Sequence, residues 1–402
     1  MSRAFFCTIL SEIINFHQRF SFFTMDQSKQ TDLRVIISGG GTGGHIFPAI
    51  AIANAIKKKN PSAQILFVGA NGRMEMEKVP QAGYEIKGLT IAGFQRGSIF
   101  KNLTLPFKLI GSLLTAYNIL QNFKPHVAIG VGGYASGPML RAASFAGIPT
   151  VIQEQNSFAG VTNKILSKNA SVICTAYQGM EKVFPAGKVV LTGNPVREEI
   201  VNTFYRKTIT QDYLGETARE YFRLDSHKKT ILIIGGSLGA KTLNQSVETA
   251  LERIKESDVQ ILWQTGKMYF DECARIADGI PNLHARMFID KMDYAYASAD
   301  VIISRAGALS ISELQLVGRP VILVPSPNVA EDHQTHNAMA LVNRKAAILI
   351  KDSEAKVNLI GAAFELLGND VLQRELSTNI KSMGIPDSAE RIVEEILKVC
   401  KA

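Results

Sequence analysis

Two stretches in opposite halves of the chain begin alike, and this repeat constrains the fold more than any other feature. Residues 33–45 read LRVIISGGGTGGH and residues 230–241 read TILIIGGSLGAK. Each is an apolar, β-branched run that empties into a glycine-rich turn. Helical patterns follow, Pro48 to Lys59 in the first half and Leu243 to Ile254 in the second. A strand without polar alternation must be covered on both faces, as in a parallel sheet flanked by helices. Further apolar runs recur at βα spacing: 65–69, 127–130, 150–153, 172–175 and 189–192, then 260–264, 301–304 and 321–324. The expected fold class is α/β, with two Rossmann-like doubly wound parallel-sheet domains facing one another across a cleft. A length of 402 residues, about twice what one core organises, agrees with two domains.

The expected division is an N-terminal extension over 1–32, a first domain over 33–194 and a second over 195–384. The stretch Glu198 to Lys229 is hydrophilic and reads as linker and surface helix. The tail 385–402 reads as one amphipathic helix, with Asp387 and Glu390 at capping-box spacing. Within 1–32, Glu12 and Arg19 interrupt a short apolar run, which argues against a signal peptide. That segment reads either as an unstructured extension or as an interfacial helix, and Met25 looks like an ordinary cytoplasmic start.

A hydrophobic fraction of 46% excludes a largely disordered chain. The formal charge of +8 points to an acidic partner: nucleic acid, anionic lipid or a phosphate-bearing substrate. Cys7, Cys174, Cys273 and Cys400 form no CxxC pair, so a zinc knuckle or disulfide framework has no support and a reducing cytoplasm fits. No stretch reaches the roughly 20 apolar residues of a spanning helix. No aromatic-basic module supports nucleic-acid binding.

The loop 39–44 formally satisfies GxGxxG, but a dinucleotide site also wants an acidic residue roughly 20 positions on. The second strand ends in Phe67-Val68-Gly69-Ala70-Asn71 instead, so the nicotinamide reading loses its second support. Neither glycine loop is a Walker P-loop, and the chain contains no Asp-x-Asp for a metal-held diphosphate. A diphosphate here would be met by backbone N–H groups, by Ser237 and by cations such as Arg197 or Arg305. The alternative is that the glycines only permit tight strand-to-helix packing.

His45 closes the first loop at the mouth of a helix, whose positive end favours the neutral imidazole of a general base. A helix-capping donor is the other reading. Glu313, one turn into a helix after 301–304, is either a clamp for two vicinal ribose hydroxyls or a carboxylate complementing the helix dipole.

Taken in order, seven motifs resemble the MurG family of peptidoglycan glycosyltransferases. They are GGGTGGHIFPA at 39–49, GVGGYASGP at 130–138, QEQNSFAGVTNK at 153–164, TGNPVR at 192–197, GGSLGA at 235–240, SRAGALSISE at 304–313 and EDHQTHNA at 331–338. The resemblance implies the GT-B architecture, with the last helix (385–402) returning to the first domain. It implies an inverting transfer of N-acetylglucosamine from its UDP donor to the 4-hydroxyl of undecaprenyl-diphospho-N-acetylmuramoyl-pentapeptide, with no cofactor and no obligatory metal.

By the same resemblance His45 is the base, and Thr42, Gly43 and Gly44 approach the donor. Asn156, Arg197, Ser237, Ile289 (whose backbone reads uracil), Arg305, Ala308, Leu309, Ser310, Ile311, Ser312, Glu313 and Gln334 complete the donor side. Gly132, Gly133, Tyr134, Ser136, Gly137, Glu154 and Asn163 face the acceptor. His333 departs from the pattern, standing where some relatives carry glutamine.

A lipid-linked acceptor implies a peripheral enzyme on the cytoplasmic face of the inner membrane, partnered by an anionic membrane surface and by other wall-synthesis proteins. Residues 91–101 and 105–108 mix apolar side chains with Arg96, Lys101 and Lys108, a composition suited to a headgroup layer or to simple packing on the first domain. The rival readings are another UDP-sugar transferase or an epimerase of the same architecture, and a non-catalytic scaffold.

Overall fold

The computed structural model describes residues 32–91, 105–206, 211–236 and 238–401. Two parallel sheets organise them. The first contains β1 (Arg34–Ser38), β2 (Gln64–Ala70), β3 (Glu85–Leu89), β4 (Val127–Gly130), β5 (Thr150–Glu154), β6 (Val172–Thr175) and β7 (Val189–Leu191), in the order β3-β2-β1-β4-β5-β6-β7. The second contains β8 (Lys229–Ile234), β9 (Val259–Gln264), β10 (Leu283–Arg286), β11 (Val301–Ser304), β12 (Val321–Leu323) and β13 (Ile348–Leu349), in the order β10-β9-β8-β11-β12-β13.

In both sheets the glycine-loop strand is central. β1 lies between β2 and β4, and β8 between β9 and β11. Ile36 and Ile37 of β1, and Ile231, Leu232 and Ile233 of β8, are fully buried because helices cover both faces. The order of strands reverses at these positions, so the loops leaving β1 and β8 open into the crevices where doubly wound sheets receive ligands.

Three edge strands, β3, β10 and β13, were not foreseen. Each has one side without a neighbouring strand among the described residues, and β3 alternates exposed and half-buried residues rather than running apolar. Two helices also differ from expectation. The first starts at Gly43 rather than Pro48, since His45 and Ile46 already donate to the Thr42 carbonyl. The run Leu243–Ile254 is two helices, Lys241–Thr249 and Leu251–Glu256, interrupted at Ala250 (φ −103°, ψ 11°).

The final helix, Ser388–Lys401, lies on the first sheet's domain. Its Ile392, Val393 and Ile396 join Val35, Ile37, Ile52 and Ile56 in one apolar cluster. The Asp387–Glu390 capping box does not form: Asp387 accepts from Arg391 Nε at 2.9 Å, and Glu390 pairs with Arg206. Arg206 lies in the connecting segment, so that carboxylate ties the returning helix to the link between domains.

Candidate active site

The first glycine loop is held from behind. Glu75, 1% exposed, accepts hydrogen bonds from the backbone of Gly41 (2.8 Å) and Ala70 (3.0 Å). A Cβ on Gly40 would meet the Glu75 carboxyl at 2.2 Å. The Gly41 N–H is therefore occupied by the protein. Thr42, the N-cap, is exposed with no side-chain cap, and Gly43 and Gly44 form the first turn.

His45 follows, half-buried, with its Nδ1 3.0 Å from Gln155 Oε1. Gly132 backs the ring: a Cβ there would lie 2.8 Å from His45 Cε1. Gly132 and Gly133 adopt φ of +92° and +85°, and a Cβ on Gly133 would strike the Gly40 carbonyl at 2.3 Å. Here the glycines are required by close approach as well as by backbone conformation. Burial lowers the His45 pKa below its ordinary value. The Glu154 charge, the Gln155 contact and the Val131 carbonyl oppose that shift, and His333 across the cleft reinforces it. The neutral imidazole is thus favoured.

Glu154 ends β5, 1% exposed, and organises the loop after it. It accepts from Asn156 N (3.0 Å), Asn156 Nδ2 (3.3 Å), Gly160 N (3.0 Å) and Asn163 Nδ2 (2.9 Å). Its oxygens bind the protein's own loop. Nearby, Ser136 Oγ and Asn163 Oδ1 are buried without a hydrogen-bond partner. Ser136 opens the helix Ser136–Phe145, and Gly137 lies in its first turn. Tyr134 is exposed.

On the opposite lobe, Glu313 lies in the helix Ala308–Val317 with its side chain 7% exposed. Arg197 grips it with a two-pronged contact, Nε to Oε1 and Nη2 to Oε2, both 2.6 Å. Tyr296, fully buried, donates its hydroxyl to Oε2 at 3.0 Å. Burial and then the neighbouring carboxylate raise the Tyr296 pKa, so the phenol stays protonated. Ala308, Leu309 and Ser310 form the start of this helix, Ile311 is core, and Ser312 donates to the Ala308 carbonyl. Arg305 turns away to Asp352 (2.5 Å), which also holds Thr242.

Ile289 is 2% exposed, and its N–H donates to Gln264 Oε1 at 3.2 Å. Gln334 accepts from Ser326 N at 2.9 Å through Oε1, leaving its amide N–H groups for another acceptor. Ser237 lies outside the described residues, as does the 92–104 segment containing Arg96 and Lys101.

The lobes are joined by side-chain amides. Asn337, fully buried, accepts from Ser157 N (2.9 Å) and Ser157 Oγ (3.1 Å) and donates to Asn156 Oδ1 (3.1 Å). Phe158 stacks on His336 at 4.8 Å. Asn194 donates to Ser312 Oγ at 3.1 Å and to the Gln155 carbonyl at 2.9 Å. Gln155, Asn194 and Asn337 stand inside the quoted motifs without having been given roles. Glu75, Gln264 and Tyr296 had no comparable sequence signal, because their partners lie on other elements.

Among the described residues no group of three His, Cys, Asp or Glu is placed to hold a metal ion. No helix among them is long and apolar enough to cross a membrane.

Residues 35–175 match the glycosyltransferase family 28 N-terminal domain, and residues 230–392 match its C-terminal domain. A UDP-N-acetylglucosamine–N-acetylmuramyl-(pentapeptide) pyrophosphoryl-undecaprenol N-acetylglucosamine transferase from Bacteroides thetaiotaomicron is 54% identical, covering 93% of this chain and 99% of its own. One of the same name from Phocaeicola vulgatus is 56% identical over 92% and 97%. The crystal structure of Acinetobacter baumannii MurG superposes with a TM-score of 0.73 at 30% identity, covering 91% and 99%. A UDP-GlcNAc 2-epimerase from Neisseria meningitidis shares the fold at a TM-score of 0.62 and 16% identity.

Proposed function

The chain belongs to the MurG family of glycosyltransferase family 28, and on that premise we propose that it moves N-acetylglucosamine from UDP-N-acetylglucosamine to the 4-hydroxyl of undecaprenyl-diphospho-N-acetylmuramoyl-pentapeptide. The first lobe receives the lipid-linked acceptor and the second holds the donor. What carries the reading is the pairing of a glycine-backed, neutral His45 after β1 with the buried Glu313 after β11, both at the carboxyl ends of their sheets.

His45 takes the acceptor's hydroxyl proton as the oxygen attacks the anomeric carbon. The bond from that carbon to the diphosphate breaks on the opposite face, and UDP leaves with the electron pair. The N-terminus of the helix Lys241–Thr249 and its glycine loop meet the charge that develops on the diphosphate. Glu313 accepts from the ribose hydroxyls, the Ile289 backbone reads the base, and the free amide of Gln334 donates to the sugar.

A lipid-linked acceptor supports a peripheral position at the membrane, which this reading puts on the cytoplasmic face. Leu109, Ile110 and Leu114, exposed along the helix Leu105–Phe123, supply an apolar surface for that contact. Sedimentation with anionic vesicles tests it: binding unaffected by Leu109, Ile110 and Leu114 to serine changes contradicts the membrane role of this helix.

The transfer itself is tested by incubation with radiolabelled UDP-N-acetylglucosamine and the lipid-linked muramoyl-pentapeptide, followed by organic extraction. Label is expected in the organic phase only when the acceptor lipid is present. Donor turnover without acceptor would favour an epimerase.

A further inference from the structure

We propose that Gln155 is a positioning residue that fixes His45 as the Nδ1–H tautomer and so leaves Nε2 as the ring's proton-accepting nitrogen. The proposal deepens, and rests on, the reading of His45 as the base.

The end of the Gln155 amide that faces the imidazole decides the tautomer. Gln155 is 1% exposed, so water does not compete for its polar atoms. Its Nε2 donates to the Val131 carbonyl at 2.8 Å and the Gln153 carbonyl at 3.2 Å, and it also contacts Gln153 Oε1. Exchanging the amide's oxygen and nitrogen would set an oxygen against these acceptors, with no hydrogen between them. Oε1 is therefore the atom facing His45, 3.0 Å from Nδ1. An amide oxygen only accepts, so Nδ1 must carry the hydrogen. In a neutral imidazole the other nitrogen is then unprotonated.

The orienting group is an amide where hydrolytic triads commonly place a carboxylate. A carboxylate on Nδ1 would stabilise the imidazolium and raise the histidine's pKa. Gln155 gives the same orientation without adding charge. The nearby carboxylate, Glu154, is engaged by the loop donors of Asn156, Gly160 and Asn163. Groups influencing the ring are thus Glu154 from β5, the Val131 carbonyl after β4 and His333 from the second lobe.

Gln155 is itself held in register. Gln153 Nε2 donates to Asn194 Oδ1 at 2.9 Å, and Asn194 Nδ2 returns to the Gln155 carbonyl and to Ser312 of the donor-side helix. The orientation of the base on one lobe is thereby tied to the helix bearing Glu313 on the other.

Two-bond 1H–15N correlation of the 15N-histidine-labelled full chain near pH 8 reads the tautomer directly. The expected spectrum has a protonated Nδ1 and a pyridine-type Nε2 for His45. A protonated Nε2 overturns the proposal. Gln155→Leu should mix the tautomers and lower kcat by about 10- to 100-fold, within the range ascribed to a positioned base, with UDP affinity within twofold. The wild-type spectrum stands even if a variant fails to fold. If His45→Ala turned over normally while the wild type showed Nδ1–H, the base reading would fail and the tautomer assignment would not.

Discussion

Arg197 and Glu313 face each other through two parallel contacts of 2.6 Å, and this pair links the segment between the domains to the helix Ala308–Val317. The sequence resemblance assigns the two residues to the donor separately. They are each other's partners, and Tyr296 completes the carboxylate's shell. A carboxylate held on both oxygens is fixed in orientation.

Removing the cation should therefore affect both stability and donor binding. A fully buried pair broken on one side loses about 3–5 kcal/mol. The Arg197 side chain is 43% exposed, so water and screening reduce the loss to about 1–2 kcal/mol. Arg197→Ala should lower the unfolding free energy by that amount, read as a lower urea midpoint at unchanged slope, and weaken UDP binding in calorimetry. Arg197→Lys should recover only part of either effect, since an ammonium cannot reproduce the planar fork.

The depressed His45 pKa sets a pH dependence. A base acts when neutral, so kcat/KM should stay flat down through the ordinary histidine midpoint of about 6.5 and fall only below it. The stability effect follows the same sign. Between the lowered folded pKa and the unfolded value near 6.5 the unfolded chain binds more protons, so His45 costs stability as pH falls through that window. A pH–rate profile for the free enzyme checks the first statement. An acid limb centred above 6.5 would show that Glu154 outweighs burial.

Gly132 offers a steric test that leaves the imidazole chemistry untouched. A methyl there would sit 2.8 Å from the His45 ring, on backbone with φ of +92°. Gly132→Ala should displace His45 and lower kcat by about 10²-fold, the scale of a misplacement near 1 Å. UDP affinity should change little, because Gly132 follows β4 of the first sheet, on the lobe opposite Glu313. Retained kcat would mean that the ring has room the structure does not give it.

The central strands were legible in the sequence because burial on both faces leaves an uninterrupted apolar run, as in Val35–Ile37 and Ile231–Ile233. Edge strands such as Glu85–Leu89 were not, since half-exposed residues carry no such run. The glycine loops and His45 were visible as local patterns. Glu75 beneath the first loop, Tyr296 beside Glu313 and Gln264 on the Ile289 amide were not. Each acts on a partner brought near by a crossover in the sheet rather than by sequence spacing. Glu154 and Asn163 stood out by motif, but only the fold reveals that they bind one another.

The most direct test of the account is His45→Ala, assayed for transfer of labelled sugar to the lipid acceptor alongside UDP binding. Loss of a positioned base predicts kcat reduced by about 10²–10⁴-fold, with UDP affinity within twofold of the parent. An unchanged kcat, with the variant folded and binding UDP normally, would contradict the assignment of His45 as the group that accepts the acceptor's proton.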